Sequence, residues 1–353
     1  MPGANVRTID VVDMHTAGEP VRIVTGGYPV LAGATILEKR RGALANHDAF
    51  RRALMLEPRG HAGMYGVIPV EPCLPGADFA CLFMHNEGYS TMCGHATIAL
   101  GHWLVDSGRV QRREPETRFG LELPCGLVEV TAKVSDGRVT ASAFTSVPAF
   151  LAAQDMVVQV PGFGPVVADL CYGGAYYLVL SARAAGLDLL SSPLAALVAA
   201  GTQITAAGRA QLAINHPEDP DLAFLYGTIL TDDATAGAPS FNLCIFADGQ
   251  IDRSPTGSGV TARMARDFAR GRVAPGQERT FYGPTPVPFT AVITGEVASG
   301  REGAVRVRVS GTAAYTGSAR FEIHADDPLG WGFSLPATYG DLERKIREGG
   351  GTA

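Results

Sequence analysis

Charge and long apolar runs are both scarce in this sequence. Charged residues make up 18% of the 353 positions, and acidic residues outnumber basic ones to leave a net charge of −6. An acidic balance of this kind offers no footing on nucleic-acid phosphate or an anionic membrane, so neither is expected as a partner. No uninterrupted apolar run approaches the length that spans a bilayer. The opening MPGANVRTIDVVDMH lacks the basic start and apolar core of a secretory signal. The six cysteines (Cys73, Cys81, Cys93, Cys125, Cys171, Cys244) include no C-x-x-C pair of metal-binding type. In a chain of this size they read as reduced thiols, which points to a cytoplasmic protein.

Turn-forming residues, by contrast, are plentiful, with 43 glycines and 23 prolines. They bound short β-branched segments, as expected of a strand-rich chain with antiparallel connections. LVEVTAKV (127–134), the turn SDG and RVTASAF form an expected hairpin. YYLVL (176–180), FLYGTIL (224–230), FNLCIF (241–246) and AVRVRVS (304–310) are further expected strands.

Two segments follow helical spacing instead. Residues 94–107 are apolar on nearly every side, which suits an enclosed helix. Residues 257–270 place Val260, Met264 and Phe268 on one side, with Arg263, Arg266 and Arg270 elsewhere. Both are framed alike. MCGHATI (92–98) and PTGSGVT (255–261) each give a small polar residue, a glycine and then a helix. A glycine follows fifteen residues after the polar position in both, at Gly108 and Gly271, as a left-handed C-cap requires. The match suggests a duplicated unit, a sheet wrapped around one helix. The chain would cross between copies at SVPAF (146–150), with Cys93 and Thr256 facing each other across a cleft. Residues 340–353 read as a short polar helix ending in a frayed glycine run.

A helix start of this type presents unpaired N–H groups and the positive end of the helix dipole, a natural grip for a carboxylate. Two such starts in one cleft could hold one carboxylate from both sides and stabilise the enolate-like charge formed when an α-proton leaves. Cys93 is the candidate base, with a pKa expected to fall at the helix N-terminus; the remaining cysteines read as buried packing. His95 could tune that thiol or touch substrate. Asp252 could accept from a substrate amino group or simply cap a turn. Arg59 and His61 read as structural. A metal or hydrolytic centre on His85, Cys93 and His95 is a competing arrangement of unremarkable spacing.

Five motifs in order, DMHTAGEP (13–20), EPRGHAGMYG (57–66), MCGHATI (92–98), YGGAYY (172–177) and DRSPTGSG (252–259), resemble the proline racemase family. The resemblance implies an α+β, diaminopimelate-epimerase-like fold: two pseudo-symmetric domains, each a mainly antiparallel sheet around a central helix. The domains would be 1–148, completed by 325–353, and 149–324. It implies no metal, pyridoxal phosphate or nicotinamide, and makes a homodimer unsurprising. Cys93 matches the family's first acid/base, Gly94 and His95 its substrate-contacting pair, Asp252 the holder of the substrate nitrogen, and Gly257 and Ser258 the second carboxylate-binding turn.

Thr256 departs from the pattern, because the family's racemases and epimerases resemble DRSPCG there. A threonine hydroxyl has no useful ionised fraction near neutral pH and cannot replace a thiol in two-sided proton exchange. Dehydration of trans-3-hydroxy-L-proline to pyrroline-2-carboxylate needs only one face, and family members with threonine resemble such dehydratases. That reaction is the expectation, with Thr256 lining the face opposite Cys93. The alternatives are a 4-hydroxyproline 2-epimerase or proline racemase using water in place of the second thiol, and a non-catalytic imino-acid binding protein.

Overall fold

The computed structural model describes residues 6–232, 234, 237–297, 301 and 303–348. The first half runs β1 (Val6–Thr16), β2 (Glu19–Gly26), α1 (Ile36–Met55), β3 (Tyr65–Val70), β4 (Phe79–His85), β5 (Tyr89–Ser90), α2 (Gly94–Asp106), β6 (Glu116–Leu123), β7 (Gly126–Ser135) and β8 (Arg138–Thr145). The second runs β9 (Phe150–Val160), β10 (Gly164–Tyr172), β11 (Tyr176–Ser181), α3 (Leu194–Gln211), β12 (Leu225–Thr231), β13 (Ser240–Phe246), β14 (Gln250–Ile251), α4 (Gly257–Ala269), β15 (Glu278–Tyr282), β16 (Phe289–Glu296) and β17 (Val305–Gly311). β18 (Ala313–His324) and α5 (Tyr339–Arg347) close the chain.

Strand pairing makes the duplication explicit. One unit reads β18-β1-β2-β3-β4-β6-β7-β8 across the sheet. The other reads β9-β10-β11-β12-β13-β15-β16-β17. Pairs are antiparallel except at matching places in each unit: β2 with β3 and β4 with β6, then β11 with β12 and β13 with β15. Parallel neighbours need a crossover, and a helix bridges each of these pairs. The sequence reading included neither α1 nor α3, the two outer crossovers. α1 is rich in charge and has only a weak apolar stripe, and α3 is built largely of alanine.

The expected boundary at residue 324 does not hold for the strands. β18 pairs with β1 from Thr16↔Ala313 to Val6↔His324, so the chain returns after β17 to finish the first unit's sheet. The position it fills is the one β9 fills in the second unit. A sheet edge needs a hydrogen-bonding partner, and here the returning strand supplies it. The antiparallel pairing of β8 with β17 joins the two units into one continuous ladder.

The expected hairpin and strands form where the patterning placed them. The β7–β8 turn has positive φ at both Asp136 and Gly137, as a two-residue hairpin turn with the right twist demands. Gly108 and Gly271 are both left-handed, with φ of 72° and 67°.

α2 is buried from Gly94 to Val105. α4 is enclosed as well, which changes the role of its arginines. Arg263 donates to Asn242 Oδ1 (2.9 Å) and Ser240 Oγ (2.6 Å), and burial pushes its guanidinium down to about 9. Arg266 meets Asp267, and Arg270 meets Asp169 and Asp155. Arg263 and Arg266 lie inside, where the second sheet brings Ser240, Asn242 and Asp169 to them, and Arg270 is half-buried at the helix end. α5 follows a Thr338–Asp341 capping box; the glycine run after it lies outside the described residues. Among the described residues no helix is long and apolar enough to cross a membrane.

Candidate active site

The two enclosed helices meet start to start. A methyl group placed on Gly94 would lie 2.4 Å from Gly257 Cα, and one on Gly257 would lie 2.7 Å from Gly94 Cα. Only hydrogen fits on either side, so glycine at both positions is a steric requirement. This contact sets the residues just before each helix, Cys93 and Thr256, on the wall of one cavity. Its lining also includes Tyr65, His95, Tyr177, Tyr226, Cys244, Phe246, Asp252 and Ser258. The space left is about 10 Å³, enough for a single water molecule. Tyr226 also borders an open hollow of about 400 Å³ that includes His85, Glu87, Arg209 and Asp248.

Cys93 is the N-cap of α2, and its sulfur accepts from Ala96 N at 3.3 Å. The lowered pKa expected from that position is overturned. Burial raises the thiol well above its usual value and outweighs the Ala96 N–H, which favours thiolate; the negative field of Asp252 adds to the rise. A helix N-terminus stabilises a thiolate by a modest amount, whereas full desolvation of an anion costs more.

His95 Nδ1 lies 3.1 Å from the Cys93 sulfur and Nε2 lies 3.6 Å away. A ring nitrogen that carries no hydrogen can accept from the thiol. Burial lowers the His95 pKa, more than the nearby Asp252 raises it. The ring is thus neutral at physiological pH and able to act as that acceptor. Asp252 Oδ2 stands 3.9 Å from His95 Nδ1, and Oδ1 accepts from Ser254 N at 2.7 Å. Ser258 Oγ pairs with Tyr177 OH at 2.7 Å.

Thr256 is strained. Its φ of 65° puts a β-branched residue in the left-handed region, which costs on the order of 1–3 kcal/mol. Its hydroxyl is buried without a hydrogen-bond partner. A strained residue with an unsatisfied polar atom turned to a cavity marks a place built for a ligand.

All seven expected site residues therefore surround one point. Sequence reasoning missed Tyr65, Tyr177, Tyr226, Cys244, Phe246 and Glu19. Tyr65, Tyr177 and Glu19 stand inside motifs already singled out, so a signal was present. Tyr65 pairs its hydroxyl with Ser90. Glu19 is fully buried, and its Oε2 accepts from Arg253 N (2.8 Å) and Arg253 Nη1 (3.2 Å). Arg59 and His61 stay outside: Arg59 binds the carbonyls of Gly330 and Glu322, and His61 is exposed. His85 borders the neighbouring hollow, and among the described residues no three His, Cys, Asp or Glu side chains are grouped to hold a metal ion.

The family model described as "Proline racemase" matches residues 11–334. The chain belongs to the proline racemase family. Among its curated relatives is a trans-L-3-hydroxyproline dehydratase of Xenopus tropicalis, 50% identical over 331 residues that cover 93% of this chain and 95% of the relative. A human trans-3-hydroxy-L-proline dehydratase is 49% identical over 341 residues, covering 95% and 96%. Among solved structures, a hydroxyproline epimerase from Agrobacterium vitis with trans-4-hydroxy-L-proline bound superposes with a TM-score of 0.87. It is 28% identical, over 93% of this chain and 95% of that one. The proline racemase fold and the two pseudo-symmetric units read from strand pairing agree.

Proposed function

We propose that this proline racemase family member dehydrates trans-3-hydroxy-L-proline to pyrroline-2-carboxylate without a cofactor, using Cys93 as acid and base. The observation that carries the reading is the asymmetry of the two helix starts, a thiol on one and a threonine on the other. The names of relatives sharing about half their residues with this chain support it.

The substrate carboxylate sits between the first turns of α2 and α4, where N–H groups and both helix dipoles meet it. Its ammonium faces Asp252. Carboxylate and 3-hydroxyl are trans on the ring, so the α-hydrogen and the hydroxyl share a face, and that face is turned to Cys93. The thiolate takes the α-proton, and the electron pair forms the C2–C3 double bond as the C3–O bond breaks. The same thiol gives its proton to the departing hydroxide, leaving water and regenerated thiolate. Charge gathering on the carboxylate during proton removal is met by N–H groups already in place. The enamine then becomes the imine by protonation at C3 and loss of the N–H proton.

At rest Cys93 is a thiol. A substrate ammonium beside Asp252 cancels part of the negative field on the sulfur, and His95 can accept its hydrogen. Loading the site thus favours the reactive form. A cavity of about 10 Å³ cannot take a five-membered ring, so the two units part for entry and close on the ligand.

Purified protein is incubated in D₂O with trans-3-hydroxy-L-proline, trans-4-hydroxy-L-proline or L-proline, alongside Cys93→Ser. Pyrroline from the 3-hydroxy substrate alone, lost in Cys93→Ser, is expected. Inversion of the other two without pyrroline would establish an epimerase instead, and binding with no chemical change would establish a binding protein.

A further inference from the structure

Two hydroxyl groups in the cavity wall are bonded to each other. Ser258 Oγ and Tyr177 OH lie 2.7 Å apart, and both residues line the cavity that Cys93 and Thr256 share. Among the described residues neither hydroxyl has a second hydrogen-bonding partner. Tyr177 is fully buried and Ser258 nearly so. Two hydroxyls carry two hydrogens, and the bond between them uses one. The other hydrogen is uncommitted.

The surroundings fix both groups. Tyr177 stands on β11 opposite Gly227 of β12, and its ring meets Tyr226 edge-on with centroids 5.7 Å apart. Ser258 is the second residue of α4, directly after the Gly257 that touches Gly94. In the repeated frame of the two helix starts, Ser258 matches His95. The neighbour of His95 is the Cys93 sulfur at 3.1 Å. The neighbour of Ser258 comes instead from YGGAYY (172–177), a motif that the proposed reaction leaves without a role. Burial pushes the Tyr177 phenol well above its usual pKa, so it keeps its hydrogen. A phenol also gives up a hydrogen bond more readily than an aliphatic alcohol does, which favours Tyr177 as the donor.

We infer that Tyr177 is a positioning residue whose phenol donates to Ser258 Oγ and so leaves the serine hydrogen for the ligand carboxylate at the start of α4. A carboxylate only accepts, so it selects the polarity that turns an O–H toward it. The two bonds then run one way, from Tyr177 to Ser258 to carboxylate, and each polarises the next. They strengthen as the carboxylate takes up charge from the α-carbon, so their loss falls on kcat more than on KM. The ligand named here rests on the dehydratase reading. The bonded pair of hydroxyls does not.

The test compares Tyr177→Phe, Ser258→Ala and the double variant with the parent. Tyr176→Phe is the control, because that neighbouring hydroxyl donates to the Asn215 carbonyl at 2.9 Å and its residue does not line the cavity. Three quantities are read: pyrroline formation from trans-3-hydroxy-L-proline, calorimetric affinity for the planar, unreactive pyrrole-2-carboxylate, and Tm. Loss of the hydrogen-bonded relay predicts kcat about five-fold lower in Tyr177→Phe with KM within about two-fold. Affinity for pyrrole-2-carboxylate, flat at the α-carbon like the transition state, should fall by a similar factor. Tyr176→Phe should keep the parental kcat and affinity. Tyr177→Phe should add nothing once Ser258 is alanine, since the phenol acts through the serine. A Tyr177→Phe loss that persists in full in the Ser258→Ala background would overturn the inference, as would a loss no larger than that of Tyr176→Phe. If the parent forms no pyrroline, the dehydratase reading falls, and the same comparison made on pyrrole-2-carboxylate affinity decides the role of Tyr177.

Discussion

Replacing Gly94 with alanine tests whether the end-to-end meeting of the two helices sets the cavity. The added carbon would stand 2.4 Å from Gly257 Cα, 2.9 Å from its carbonyl carbon and 3.0 Å from Ser258 N. All three are backbone atoms, so no side chain can swing aside. Carbons in contact settle at about 3.5–4.0 Å, so the helix starts must separate by roughly 1 Å. Overpacking of this kind costs about 1–3 kcal/mol, or a fall in Tm of roughly 2–10 °C. The catalytic loss should be larger, because a shift of about 1 Å between reacting groups costs on the order of 100-fold. Pyrroline formation and thermal unfolding are measured on Gly94→Ala beside Gly88→Ala, where a methyl group meets nothing within 4 Å. A Gly94→Ala enzyme with parental kcat/KM would show that the carboxylate grip does not depend on helix contact.

Three further outcomes are expected. Thr256→Cys places a thiol on the second face and should confer deuterium uptake and inversion at Cα of L-proline; polarimetry that stays flat would mean a second thiol is insufficient here. Burial holds Cys93 as a thiol, so kcat/KM should rise with a slope near one across roughly pH 6–8.5, whereas a plateau already present at the acid end would show a resting thiolate. Burial, then Asp252, raises the Glu19 carboxyl above its ordinary 4.5; a group raised in the folded state favours folding at low pH and loses that advantage as pH climbs. The Tm of Glu19→Gln relative to the parent should therefore improve steadily from about pH 4.5 to 8, and a pH-independent difference would contradict protonated Glu19.

Much of the fold was legible because its signals are local. Alternation and turn chemistry fixed the β7–β8 hairpin, and Gly108 and Gly271 marked both helix ends by the left-handed conformation each needs. The repeated frame of polar residue, glycine and helix located the duplication and the pair Cys93 and Thr256. The buried arginines of α4 and the return of β18 to β1 were not legible. Each depends on partners far along the chain: Asp169 for Arg266, and β1 for a strand some 300 residues later.

Which groups could do chemistry is written in the chain: a thiol and a hydroxyl at matched helix starts, an aspartate near the second, and too little positive charge for a polyanion. The state of those groups was set by folding. A pKa, an orphaned hydroxyl and a strained φ are properties of surroundings assembled from both units. Cys93 was expected to be acidic from its helix position, and burial reversed that. Cys244 looked like packing, and the folded chain set it in the wall of the cavity that Cys93 and Thr256 share. Residue type and spacing are written in the chain, whereas desolvation and the neighbours across a cleft exist only once two distant segments have met.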